Sequence, residues 1–276
     1  MIVHEKLKHL TEILSRLKRA VIAFSGGVDS AFLLKVAADT LGGGAIAMTA
    51  RSAIHPQRET EHAISFANGR GVRHILLDTD ELTIPEFVLN PKNRCYICKR
   101  ALFWKLREKA ENMGIQTILE GSNADDLSDF RPGMRAVREL GIRSPMLEAG
   151  INKNEIRLLS KEMGLETWDK QPFACLATRF PYGERITTEK LLMVDICERY
   201  LLSLGFKQAR VRHHGDLARI EVGKEETVRF FRDGLADLVD AECKRAGFTY
   251  CTIDAKGYQT GSMNRATVRE EINEQR

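Results

Sequence analysis

The hexapeptide SGGVDS at residues 25–30 constrains the fold of this chain more than any other segment. It follows a short apolar run, AVIAF at residues 20–24, and precedes a stretch with the apolar spacing of a helix. A strand, a glycine turn and a helix start in this order form a phosphate cradle, because glycines let the backbone approach an anion and free N–H groups point at it. The lysine-containing loop GxxxxGK(S/T) is absent. We therefore expect a nucleotide site that includes Ser25, Gly26, Gly27, Asp29 and Ser30, with the two hydroxyls donating to phosphate and Asp29 holding Mg²⁺.

Strands and helices alternate through the first half of the chain. We predict strands at 20–24, 45–49, 73–78 and 117–120, and helices at 5–18, 29–40, 56–68, 98–113 and 153–163. This order is typical of a doubly wound parallel α/β sheet with its ligand at the carboxyl ends of the strands.

A different pattern begins near residue 187. It predicts a long helix at 188–203, strands at 208–213, 217–222 and 249–254, and short helices at 225–232 and 235–246. We therefore predict two domains, an α/β nucleotide-binding domain over 1–183 and a smaller α+β domain over 184–276.

Composition excludes several classes of protein. The net charge of +4 over 276 residues is too small to indicate nucleic acid by itself. No apolar stretch is long enough to span a bilayer, and the amino terminus carries charges where a signal peptide needs its apolar core. We expect a cytoplasmic protein, in which six cysteines do not form a disulfide framework.

Three cysteines stand out by position. Cys95 and Cys98 form a CxxC at the predicted start of a helix, and Cys175 lies in a loop-like segment with two prolines. Because helix starts and nearby cations favour thiolates, these three are candidates for redox chemistry, for zinc, or for a 4Fe–4S cluster with one iron free of protein ligands. Unrelated buried thiols are the alternative. We interpret the other cysteines, Cys197, Cys243 and Cys251, as core residues, and we expect Trp104 and Trp168 to pack in the core as well.

With these residues in place, the chain resembles the LarE-type ATP-dependent sulfur transferases of the PP-loop ATP pyrophosphatase superfamily, whose fold is adenine nucleotide alpha hydrolase-like. The resemblance covers nearly the whole chain. It is carried by residues 25–30, by residues 121–126 with Asp129 and residues 131–133, and by residues 172–183.

The resemblance implies a reaction in which ATP adenylates a carboxylate of pyridinium-3,5-biscarboxylic acid mononucleotide. Sulfur then displaces AMP, and two rounds give the dithio ligand of the nickel-pincer nucleotide cofactor of lactate racemase. Some members have a single cysteine at the position of Cys175 and sacrifice its sulfur. This chain also carries Cys95 and Cys98, and so is similar to the three-cysteine form, which is thought to hold a 4Fe–4S cluster. The family is hexameric, a trimer of dimers, and the sulfide donor is unknown.

That mechanism gives roles to further residues. Arg179 is our candidate for the arginine near the transferred group, and Asp125 and Asp126 orient metal or nucleotide unless they cap the next segment. Arg210 and Arg212 share one face of a strand and are expected to grip the substrate's phosphate, with solvated surface arginines as the alternative.

Three other functions compete. A tRNA-thiolating PP-loop enzyme would explain the six basic residues within 92–107, although basic and aromatic residues do not interleave as in nucleic-acid-binding tracts. An amide-forming PP-loop synthetase uses ammonia and needs no trio of cysteines. A non-enzymatic ATP sensor would bind ATP without releasing pyrophosphate.

Overall fold

The structure is a computed structural model that describes residues 2–127, 133–171, 174–232, 234–259 and 262–264. Asp129, Arg131, Pro132 and Pro172, which carry part of the resemblance, lie outside the described residues. In chain order the elements are α1 (Val3–Ser15), β1 (Ala20–Ala23), α2 (Val28–Leu41), β2 (Ala45–Arg51), α3 (Gln57–Asn68), β3 (Arg73–Asp78), α4 (Pro85–Val88), α5 (Arg94–Glu111), β4 (Ile118–Leu119), α6 (Gly133–Glu139), α7 (Pro145–Glu148), α8 (Lys153–Glu162), α9 (Thr188–Ser203), β5 (Ala209–His214), β6 (Leu217–Val222), α10 (Leu235–Ala246) and β7 (Tyr250–Ile253).

The chain divides into two compact units. The first holds residues 1–81 and 93–173, and the second holds residues 82–92 and 174–276. The domain boundary that we placed between 183 and 184 stays a prediction.

The first unit is built on a parallel sheet with the strand order β3-β2-β1-β4. Alternate residues of β1 face opposite cores, as strands covered on both faces must. Ala20 and Ile22 pack with α1, α2, α3 and α8, whereas Val21 packs with α5 and α6. The doubly wound α/β fold is therefore confirmed.

The strand order places a switch point between β1 and β4. The chain proceeds from β1 to β2 and β3 on one side, and β4 then returns to the other side of β1. In such sheets, ligands bind in the crevice outside the carboxyl ends of the two strands at the switch. The phosphate loop follows β1, and the segment from Glu120 onward follows β4.

The second unit has a small sheet in the order β5-β6-β7, with β5 antiparallel to β6 and β7 parallel to it. Helix α9 packs on β5 and on α10, and Val211 of β5 and Val194 of α9 are wholly buried. This unit has the helices and strands predicted for a smaller α+β region.

Candidate functional site

The phosphate loop joins β1 to α2 with glycines at its two critical positions. Gly26 has a φ of +71°, and a Cβ there would come within 3.3 Å of the Ala63 Cβ. Gly27 is the N-cap of α2 in an extended conformation and provides no side-chain cap for the helix. The first N–H groups of this 14-residue helix are thus available to an anion at the switch point.

The two serines of the loop have different surroundings. The Ser30 side chain is buried, and its Oγ accepts a hydrogen bond from the Ser25 N–H at 3.3 Å and donates to the Gly27 carbonyl oxygen at 3.2 Å. Ser25 is exposed, with its Oγ 3.1 Å from that of Ser30. Ser30 therefore stabilises the loop through buried hydrogen bonds, while the side chain of Ser25 is exposed to solvent. A hydrogen bond from either hydroxyl to phosphate stays a prediction.

The end of β4 lies directly against the start of α2. A Cβ on Gly121 would come within 3.2 Å of the Ser30 backbone nitrogen, so a side chain here would push the two segments apart by a few tenths of an ångström. Two sequence blocks that carry the resemblance, residues 25–30 and 121–126, therefore meet at the switch point.

The acidic loop after β4 is organised by its own hydrogen bonds. The Asp126 carboxylate is buried and accepts the Asn123 N–H at 3.0 Å. Asp125 accepts the Lys153 N–H at 3.0 Å and thereby helps to cap α8, together with Asn152. The capping alternative thus has support at Asp125, although the helix it caps is α8 and not the next segment. A role of either aspartate toward metal or nucleotide stays a prediction.

Two lysines that the sequence analysis missed reach the phosphate loop. The Lys153 Nζ lies 2.6 Å from the Asp29 Oδ2. The Lys170 Nζ donates to the Gly26 carbonyl oxygen at 3.0 Å and pairs with Glu59 at 2.8 Å. These cations come from positions 124 and 144 residues away from their loop partners, so no local motif shows them.

The CxxC lies at the start of a helix, as predicted. Helix α5 begins at Arg94, four residues before the predicted start, so Cys95 and Cys98 lie three apart in its first turns and on the same side. The Cys95 side chain is exposed and that of Cys98 is half-buried, and neither cysteine forms a disulfide with a described residue. The predicted bound at residue 98 was therefore wrong, although the CxxC does lie at the start of the helix.

In the second unit, Arg179 is wholly buried and holds the backbone of the Cys175 segment. Its guanidinium donates to both Glu198 oxygens, at 2.7 and 3.0 Å, and to the carbonyl oxygens of Ala174 and Cys175 at 3.0 and 3.3 Å. Burial opposes the charge of Arg179, but the Glu198 carboxylate outweighs it and raises the Arg179 pKa. Cys175 itself is half-buried and forms no disulfide with a described residue. A contact of Arg179 with a transferred group stays a prediction.

Arg210 and Arg212 are both buried, so the alternative of solvated surface arginines is wrong. Arg212 donates to Glu221 at 2.7 and 3.0 Å and to the Thr178 carbonyl oxygen at 3.1 Å. Burial, and next the charge of Arg179, lower the pKa of Arg210 to about 10. A guanidinium whose charge is disfavoured in this way gains from a bound anion.

The predicted site residues are therefore divided between the units. Cys95, Cys98 and the phosphate loop lie in the first, whereas Cys175, Arg179, Arg210 and Arg212 lie in the second. Within the described part of either unit, no three His, Cys, Asp or Glu side chains gather as ligands of a metal ion. A common site for the three thiols stays a prediction.

The remaining candidates are placed as follows. Cys197 and Cys243 are buried as expected, and Cys251 is half-buried. The core prediction was wrong for both tryptophans, because the side chains of Trp104 and Trp168 are 59% and 36% exposed. Among the described helices, none has the length and apolarity that crossing a membrane requires.

Known proteins are similar to this chain over different lengths. No family model matches it. The pyridinium-3,5-bisthiocarboxylic acid mononucleotide synthase of Lactiplantibacillus plantarum is 34% identical over 264 residues, 95% of each chain. An uncharacterised protein of Synechocystis is 44% identical over 268 residues, 97% of this chain and 100% of that protein. A glutamine-hydrolyzing GMP synthase polypeptide of Thermoplasma volcanium is 30% identical over 200 residues, 66% of this chain and 64% of that polypeptide.

Proposed function

The chain belongs to the LarE-type family of the PP-loop superfamily and is an ATP-dependent enzyme, and from this premise we propose its reaction. We propose that it adenylates the carboxylates of pyridinium-3,5-biscarboxylic acid mononucleotide and converts them to thiocarboxylates for the nickel-pincer nucleotide cofactor. The observation that carries the proposal is the 34% identity to the bisthiocarboxylate synthase over 95% of both chains, together with the phosphate loop at the switch point.

The first step activates a carboxylate, which is otherwise a poor electrophile. A carboxylate oxygen attacks the α-phosphorus of ATP, the bond from that phosphorus to the bridging oxygen breaks, and pyrophosphate leaves. The N–H groups at the start of α2 stabilise the charge on pyrophosphate. Asp29 is the residue of the loop suited to hold Mg²⁺, and the Lys153 ammonium beside it provides the cation that the loop itself lacks.

The second step replaces AMP with sulfur. Sulfide attacks the carbonyl carbon of the acyl adenylate, the carbon–oxygen bond to AMP breaks, and a thiocarboxylate, AMP and a proton result. The donor set of this chain fits a 4Fe–4S cluster, because Cys95, Cys98 and Cys175 form no disulfide with a described residue and two of them lie three residues apart on one helix. Such a cluster, held by Cys95, Cys98 and Cys175, would supply an iron without a protein ligand as a site for sulfide. Arg179 is a positioning residue for Cys175, because it holds the carbonyl oxygen of that residue.

Arg210 and Arg212 are proposed to bind the phosphate of the mononucleotide. They project from one face of β5, both are buried, and the pKa of Arg210 is lowered to about 10 chiefly by burial. A phosphate dianion would stabilise the charge of Arg210, which burial disfavours. We further propose a homo-hexamer, as in the family, a cytoplasmic location, and no nucleic-acid partner.

A single incubation tests the proposal. Anaerobically purified protein with MgATP, the bis-carboxylate and sulfide is expected to release AMP and pyrophosphate, and mass spectrometry of the product is expected to show oxygen replaced by sulfur. Because GMP synthases are among the relatives, ammonia replaces sulfide in a second arm, and tRNA replaces the acid in a third. Amide formation, or thiolated tRNA with no thiocarboxylate, would contradict the proposal.

A further inference from the structure

Lys170 contacts the phosphate loop at Gly26, whereas Lys153 contacts it at Asp29. We propose that Lys170 is a positioning residue that holds the Gly26 peptide in the orientation that anion binding requires. The inference rests on the proposed use of ATP at this loop.

Lys170 contacts the loop at Gly26, whose backbone conformation few other residues adopt. The Lys170 Nζ donates to the Gly26 carbonyl oxygen at 3.0 Å, and Gly26 has a φ of +71°. A carbonyl oxygen turned toward a phosphate would repel it, whereas a carbonyl held by an ammonium leaves the N–H groups of the turn to face the anion. The charge-assisted hydrogen bond from Lys170 therefore stabilises the anion-binding orientation of this peptide.

Helix α3 fixes the Lys170 ammonium from the other side. Glu59 lies 2.8 Å from the Lys170 Nζ, and the His62 Nδ1 lies 3.3 Å from it. Glu59, His62 and Ala63 are spaced i, i+3 and i+4, so they share the face of α3 on which Ala63 meets Gly26. One face of α3 therefore contacts both the phosphate loop and Lys170.

Burial makes this arrangement more specific than a surface ion pair. The side chains of Lys170 and Glu59 are only 20% and 17% exposed. A long lysine side chain loses considerable rotamer freedom when it is held in such a place, so three polar partners are needed to keep it there. Those partners are the Gly26 carbonyl oxygen, Glu59 and His62.

The contact predicts a readout that is independent of catalysis. Burial, and next the positive charge of Lys170, lower the pKa of His62, against the opposing carboxylates of Glu166 and Glu59. Arg70 lowers this pKa further. Removal of the Lys170 charge is therefore expected to raise the His62 pKa, which NMR titration measures after assignment with a His62→Gln variant.

The experiment compares Lys170→Met with Lys170→Arg and with Lys161→Met, an exposed lysine of α8 in the same unit. Calorimetry is expected to show that Lys170→Met binds MgATP about tenfold or more weakly, the effect of one charge-assisted hydrogen bond, while AMP affinity changes by less than about twofold. Lys170→Arg is expected to recover most of the ATP affinity, and Lys161→Met to stay within about twofold of the wild type. The His62 pKa is expected to rise in Lys170→Met alone.

Two results would overturn the inference. One is ATP affinity in Lys170→Met within about twofold of the wild type, and the other is an equal loss of ATP and AMP affinity. If Lys170→Met does not fold, Lys170→Gln takes its place with the same expected losses. Wild-type protein that fails to bind ATP would instead refute the proposed reaction, so the two failures are distinguishable.

Discussion

Glu198 in α9 holds Arg179, the side chain that binds the backbone of the Cys175 segment. Its side chain and that of Arg179 are 0% exposed, and two hydrogen bonds of 2.7 and 3.0 Å join them. Glu198 also accepts the Val211 N–H at 3.0 Å, so it links α9 to β5. Glu198→Gln keeps the shape of the side chain and removes its charge, which leaves the Arg179 guanidinium buried without its counter-ion.

The expected cost of that change follows from burial. Removing one partner of a buried ion pair destabilises a protein by about 3–5 kcal/mol, because the remaining charge is uncompensated. Burial opposes the charge of Glu198, but Arg179 outweighs it and lowers the Glu198 pKa. The contribution of a carboxyl with a depressed pKa is present above its unfolded pKa of about 4.3 and is lost as pH falls through the folded value. At neutral pH, Glu198→Gln is therefore expected to lose the whole of this stability.

Hydrogen exchange of residues 209–214 measures this cost locally. The Val211 amide of Glu198→Gln is expected to lose about two to three and a half orders of magnitude of protection, as about 3–5 kcal/mol requires. Glu189→Gln, at the exposed start of the same helix, is the matched control and is expected to change protection by less than about tenfold. Loss of less than about tenfold in Glu198→Gln itself would refute the view that this pair holds the segment.

Three further predictions, on Asp29, on the three cysteines and on Arg210, test the chemistry. Asp29→Ala is expected to abolish pyrophosphate release and leave iron content unchanged, because the metal ligand for ATP is lost; undiminished release would contradict its role with Mg²⁺. Cys95→Ala, Cys98→Ala and Cys175→Ala are each expected to lose the brown absorbance of the cluster, and if only Cys175 matters for sulfur transfer, a sacrificial sulfur source is preferred. Arg210→Lys is expected to weaken binding of the acid about tenfold or more and to leave ATP affinity unchanged, because a bidentate phosphate contact is lost; equal loss of both affinities points to general destabilisation.

Much of the first unit was predictable from the sequence because its signals are local. The glycines at 26 and 27 and the apolar run before them predicted the strand, the turn and the helix start. Strand β1 ends one residue before its predicted end, and α2 extends one residue beyond its prediction at each end. In the second unit, periodicity predicted both ends of α9 correctly. The Thr187 side chain caps the start of this helix. The fold class follows from the order of these elements.

The side chains around the loop were not predictable in the same way. Lys153 and Lys170 approach Asp29 and Gly26 only because α8 and the segment after it return to the sheet, and nothing in their local sequence indicates a phosphate loop. The burial of Arg179 depends likewise on Glu198, which lies 19 residues away. The exposure of Trp104 was not predictable either. A large apolar side chain does not indicate which face of its helix packs on the sheet.

The transfer of carboxylate oxygen to AMP tests the central claim most directly. The bis-carboxylate is labelled with heavy oxygen in its carboxyl groups and incubated with protein, MgATP and sulfide. Because a carboxylate oxygen attacks the α-phosphorus, AMP is predicted to carry one heavy oxygen, pyrophosphate is predicted to carry none, and the thiocarboxylate is predicted to retain one at each converted group. Unlabelled AMP, or ADP and phosphate in place of AMP and pyrophosphate, would contradict the account.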